Sequence, residues 1–149
     1  AAADVEALAL DLRRELLALH AADPAQVDTT LLIHPQVLAD FGAYNRFLGV
    51  AEAIVAMLGL EGELQVASFH PGYRFAGTRA SDAANFSNRS PFPMLHLLRE
   101  ASIERAVAAF PDAARIYERN IDTLRSLGPA GWRRLWLDDD ADDTTPRKP

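Results

Sequence analysis

The stretch TTLLIHP, residues 29–35, is a β-branched and aliphatic run that stops on His-Pro. Its apolar residues do not alternate with polar ones, which suits a short strand over 29–33 covered on both faces. Pro35 has no N–H to give a ladder and cannot continue it. A second run, ELQVASFHP at residues 63–71, repeats the ending with His70-Pro71. Between the two, a helical pattern starts at about Val37, breaks or kinks at Gly42, and resumes through Tyr44, Phe47, Leu48, Ala51, Ile54, Val55 and Leu58 until Gly59 and Gly62 end it. Strand, helix and strand over this length make a βαβ crossover, whose two strands run parallel. Parallel strands finish on the same edge. His34 and His70 are therefore expected at one rim of the sheet, the rim where open α/β folds bind ligands.

Outward from this unit the chain reads as mostly helical. Val5, Leu8, Leu12, Leu16 and Leu19 predict a helix over 4–20 that stops near Asp23-Pro24. Residues 71–90 show no period and predict a long loop, a length that usually carries a task. Ser90-Pro91 reads as a serine N-cap with proline at the first helical position, opening a helix through Leu95, Leu98, Ile103, Val107 and Phe110. Asp112 caps a last main helix with Ile116, Tyr117, Ile121, Leu124 and Leu127 on its apolar face, stopped by Gly128-Pro129, and GWRRLWL at 131–137 reads as a short packing turn. The fold class expected is α/β, with α+β as the alternative: a small sheet with a βαβ crossover packed by four to five helices. Two strands alone make a marginal sheet, so a further strand is expected to be missing from the chain or supplied by a partner.

Composition sets the outer bounds. The chain has 149 residues, 49% of them hydrophobic, with mean hydropathy -0.07. It is expected to form one globular domain over 1–137, followed by a disordered acidic tail over 138–149 in which DDDADD supplies five negative charges. No run approaches the roughly 20 apolar residues of a spanning helix and no signal peptide is visible, so a cytoplasmic protein without a membrane partner is expected. The net charge of -6 argues against a nucleic-acid partner, because binding there rests on neutralising phosphates with cations. The absence of cysteine removes disulfides, thiolate metal ligands and cysteine nucleophiles.

Three histidines are the candidate catalytic residues: His34, His70 and His96. At one rim, His34 and His70 can act as acid and base near neutral pH, ligate a metal, or hold an anion when protonated; equally, each can cap its strand end. On a helix His96 would share a face with Glu100, a spacing used by metal ligands. His34, His70 and Glu100 are accordingly the candidate ligands of a divalent metal ion. NRSP, residues 88–91, joins a helix start to an amide, a hydroxyl and a guanidinium, and Asn88, Arg89 and Ser90, with Arg74 and Arg99, are the candidate contacts for a small anionic molecule. No GxSxG, GxGxxG, Walker, HExxH or EF-hand pattern occurs.

Taken together, TTLLIHPQVLADF, QVASFHPGYRFAGT, NFSNRSPFPMLHLLREASIERAV and ERNIDTLRSLG resemble the uncharacterised bacterial domain-of-unknown-function family 1415 over residues 28–128. The resemblance names no reaction, cofactor or substrate. It implies an N-terminal segment with an Asn-Leu-Cys-Pro motif and a further apolar strand, and this sequence opens at AAADVEALAL with neither. The expected function is a small-molecule enzyme with a histidine site at the strand rim and an anion-binding helix start. The alternative is a noncatalytic module that binds an anionic metabolite or a protein partner, and an unpaired sheet edge leaves a homodimer open.

Overall fold

A computed structural model describes residues 2–110 and 112–137; the expected acidic tail, 138–149, lies outside the described residues. Helix α1, Val5–Ala21, starts where the Asp4 carboxylate accepts the Ala7 N–H, and turns Leu8, Leu12, Leu16 and Leu19 into the core. Strand β1 is Thr29–Ile33. Helix α2, Phe41–Met57, starts later than its apolar pattern suggests, because the Asp40 carboxylate accepts the Ala43 N–H and caps the helix there. Strand β2 is Leu64–Phe69.

The structure corrects the reading of residues 90–99. Ser90-Pro91 opens no helix; strand β3, Met94–Arg99, follows instead, and helix α3 begins only at Glu100 and runs to Ala109. MLHLLR fits both periods, since Leu95 and Leu98 suit a helix while Leu95 and Leu97 suit one face of a strand. Pairing on both sides decides between them. β3 is the centre of a three-stranded sheet in the order β1-β3-β2, antiparallel to each neighbour. This is the strand the two-strand reading lacked. It also keeps the parallel relation expected of the crossover: β1 and β2 run the same way without pairing, with β3 inserted between them.

Helices α1 and α2 cover one face of the sheet, where Leu95, Leu97 and Leu64 meet Leu12, Leu16, Tyr44, Phe47 and Ala51 in a single core. Thr30 and Leu32 of β1 are half-buried, but Leu31 and Ile33 are exposed, so β1 is not covered on both faces as its composition suggests. The described chain divides into two compact units. The first runs to Tyr73 and resumes at Asn88, carrying the sheet with α1, α2 and α3. The second comprises Arg74–Ser87 and the chain from Asp112, including helix α4, Ala113–Leu137. In α4 the expected stop at Gly128 is a kink, with φ +61° and ψ 177°, and GWRRLWL continues as helix. No helix among the described residues is long and apolar enough to cross a membrane.

Candidate functional site

Both strands that end on His-Pro finish opposite the same residue of the central strand: Ile33 and Phe69 each pair with Met94. Beyond these pairs the His34 N–H continues the β1–β3 ladder by donating to the Pro93 carbonyl at 3.0 Å, whereas the His70 N–H leaves β3 and donates to the Asn88 carbonyl at 3.1 Å. The two histidines therefore flank one end of β3. Strands lie about 4.8 Å apart, which separates the two chain ends by about 10 Å across the sheet.

Tyr44 of α2 fills that gap. Its ring lies 6.0 Å from the His34 ring, stacked with the planes at 17°, and 4.9 Å from the His70 ring at 43°. Its hydroxyl donates to the Met94 carbonyl at 2.8 Å and accepts the Phe69 N–H at 3.0 Å. Burial of the phenol raises its pKa well above the usual tyrosine value, so it remains a donor. Phe41 closes the cluster, 5.4 Å from the His70 ring and 5.4 Å from Tyr73.

The two imidazoles hold opposite tautomers. The Val37 carbonyl can only accept, so His34 carries its proton on Nδ1 and donates it at 2.8 Å. His70 accepts the Gly72 N–H on Nδ1 at 2.9 Å, and donates from Nε2 to the Leu38 carbonyl at 3.1 Å. Both side chains are buried, His34 at 1% and His70 at 2% exposed. His70 is fully committed to backbone. His34 is not: its Nε2 is a buried side-chain polar atom without a hydrogen-bond partner among the described residues. Burial, with the nearby His70 as a lesser cause, lowers the His34 pKa below the usual histidine value, so Nε2 is an unprotonated lone pair at neutral pH.

Both histidines thus hold consecutive carbonyls of one loop, residues 35–40, which joins β1 to α2. Leu38 in that loop has φ +60°, a left-handed conformation disfavoured for a branched side chain and characteristic of constrained functional loops.

The other candidates lie elsewhere. His96 is in the middle of β3, paired with Leu31 and Ala67, on the face opposite the buried Leu95 and Leu97. Its Nε2 meets the Thr29 hydroxyl, which itself donates to the Leu97 carbonyl at 2.7 Å, and burial lowers its pKa. The helical spacing expected between His96 and Glu100 does not exist, because the first is on a strand. Glu100 begins α3 at the far end of β3, where its N–H donates to the Glu63 carbonyl at 2.9 Å. His34, His70 and Glu100 are not brought together, and among the described residues no group of three or more His, Cys, Asp or Glu side chains is gathered for a metal ion.

Nor does the expected anion cradle form around a helix start. The Ser90 hydroxyl donates to the Phe92 carbonyl at 2.6 Å. The Asn88 amide donates to the Ser68 carbonyl at 3.1 Å, tying the returning loop to β2. Arg89 donates from Nε to the Tyr73 carbonyl at 3.3 Å, and burial lowers its pKa. Arg99 donates to the carbonyls of Leu19, Ala22 and Val27 at 2.6, 2.8 and 3.2 Å, which makes it a clamp on the end of α1. Arg74 is exposed. Sequence reasoning placed Tyr44 only as part of an apolar face. The available signal was its hydroxyl, the single polar atom among the side chains that α2 buries.

The chain belongs to the family described as "Protein of unknown function (DUF1415)", whose match covers residues 1–134. The match takes in α1 as well as the segments that carry the resemblance over 28–128. No curated protein and no solved structure matches the chain.

Proposed function

We propose that this member of the DUF1415 family is an enzyme acting on a small molecule, with the Nε2 lone pair of His34 as its proton acceptor. The observation that carries the reading is that lone pair: buried, unprotonated, held in one tautomer by the Val37 carbonyl, and without a partner among the described residues. Leaving a buried acceptor unsatisfied costs about 1–3 kcal/mol. A fold keeps such a group where something else uses it, and proton transfer is the use that suits an imidazole.

The roles divide accordingly. His34 Nε2 takes a proton from the substrate, and the imidazolium that forms stays anchored through Nδ1–H to Val37 before returning the proton. Tyr44 is a positioning residue, packed against the His34 ring and fixed by its own two hydrogen bonds. His70 is a second positioning residue, because it holds the Leu38 carbonyl and so sets the loop to which His34 is tied. Substrate enters by displacement of that loop, whose Leu38 is already in a strained conformation.

His34→Asn is the discriminating variant. The asparagine amide sits where Nδ1 was and keeps a donor for Val37, while the Nε2 lone pair is removed. Purified chain screened against small esters, lactones, phosphoesters and, by deuterium uptake, carbonyl compounds is expected to turn over at least one class. Turnover by a folded His34→Asn chain should fall by about 10²–10⁴-fold, the range of a lost general base. Equal turnover by the two chains would overturn the assignment. So would a ¹⁵N spectrum at pH 7 that places the His34 proton on Nε2.

A further inference from the structure

The second unit, taken alone, carries an open surface cleft of about 270 Å³ with a chemistry of its own. A 3₁₀ helix, Ala83–Asn88, brings Phe86 and Ser87 to it. Helix α4 presents Asn120, Thr123 and Leu124, the i, i+3 and i+4 positions that share one helix face. Past the kink at Gly128, whose φ of +61° suits only glycine without strain, Trp132 stacks on Phe86 with centroids 5.1 Å apart and planes at 22°. Helix α4 thus supplies the polar side and, past the kink, the tryptophan of the aromatic side.

None of the six lining side chains ionises. The cleft is open to solvent on the side of Asn120 and Thr123, which are exposed, and a phosphate, carboxylate or ammonium would find no opposite charge among the six to favour it over water. The Thr123 hydroxyl already donates to the Arg119 carbonyl at 2.8 Å, so it offers a ligand only acceptor lone pairs. The Asn120 amide offers one acceptor and two donors. The volume is below the roughly 300–1,000 Å³ of pockets for drug-sized ligands, which points to a single ring. An uncharged ring with an apolar C–H face for the Trp132–Phe86 pair and hydroxyls to donate to Thr123 meets all of these conditions. We propose that this cleft binds a neutral monosaccharide-like ring, stacked on the Trp132–Phe86 pair and held by Asn120 and Thr123.

Saturation-transfer NMR on the whole chain tests this with methyl glucoside, methyl galactoside and methyl mannoside, against adenosine and glucose 6-phosphate as flat and charged controls. At least one methyl glycoside should bind saturably with a Kd of about 1 mM, the strength that a dozen ligand atoms at drug-like efficiency supply. Thr123→Val keeps the shape of the helix surface and removes the acceptor, and should raise that Kd by about two- to tenfold. Trp132→Ala should abolish binding. Three results would each overturn the proposal: no glycoside saturating at about 50 mM, adenosine or glucose 6-phosphate binding more tightly than every neutral glycoside, or an unchanged Kd in a folded Thr123→Val chain.

Discussion

Tyr44 joins two strands through one oxygen. Its hydroxyl satisfies the Met94 carbonyl and the Phe69 N–H at the end of the sheet that the histidines flank. Tyr44→Phe preserves the ring between the imidazoles and removes only that oxygen, leaving two backbone groups unpaired. The expected loss is about 1–3 kcal/mol of unfolding free energy by urea denaturation, with little change in the denaturant slope; a loss below about 0.5 kcal/mol would mean that water replaces the phenol. The same logic separates two variants of His34. His34→Asn retains the bond to Val37, whereas His34→Ala loses it and leaves a void, so alanine should be the less stable by about 1–2 kcal/mol in the same assay. The histidines were legible in the sequence, because His-Pro after an apolar run marks a strand end. What each nitrogen holds was not, since the acceptors are the carbonyls of Val37 and Leu38, and a carbonyl carries no residue identity.

Among the elements, β3 is where sequence and structure part. Every residue of MLHLLR is compatible with either period, and the Ser90-Pro91 start signal is a local preference that tertiary pairing overrides. β1 and β2 were legible because each is short, rich in β-branched or apolar residues, and closed by His-Pro; β3 is recognised only by the two strands that flank it. The same central position gives Arg99 its role. It ends β3 beside the end of α1, and its guanidinium takes the carbonyls of Leu19 and Ala22, at the end of α1 where the negative end of the helix dipole lies, together with that of Val27 in the segment that follows. Arg99→Met should cost about 1.5–3 kcal/mol, the range for hydrogen bonds to a charged group. Arg99→Lys should recover only part of it, because one ammonium cannot reproduce a planar fork spread over three acceptors. Thermal unfolding of the two variants side by side checks the order; a lysine variant as stable as the parent would show that charge alone holds the helix end.

At the scale of the whole molecule, the buried neutral imidazole makes stability depend on pH in a defined direction. The His34 pKa is lowered in the folded chain, first by burial, while in the unfolded chain it lies near 6.5. Above about pH 6.5 both states hold the ring neutral and His34 adds no pH dependence. Below it the unfolded chain takes up the proton and the folded chain does not, so unfolding becomes more favourable as pH falls, until the folded ring also titrates. One such group contributes a slope of at most about 1.4 kcal/mol per pH unit. His96, also lowered by burial, acts in the same direction. Carboxylates titrate near pH 4, so the interval from about pH 6.5 to pH 5 reports on imidazoles. Urea unfolding across that interval should show the parent chain losing stability steadily. His34→Asn has no proton to gain at that position, and its curve should be flatter than the parent's by the His34 share, so that the two chains lie closest in stability at the acid end relative to their difference at pH 8. Parallel curves would place the His34 ring in contact with water in the folded state, and would remove the desolvation on which its free lone pair depends.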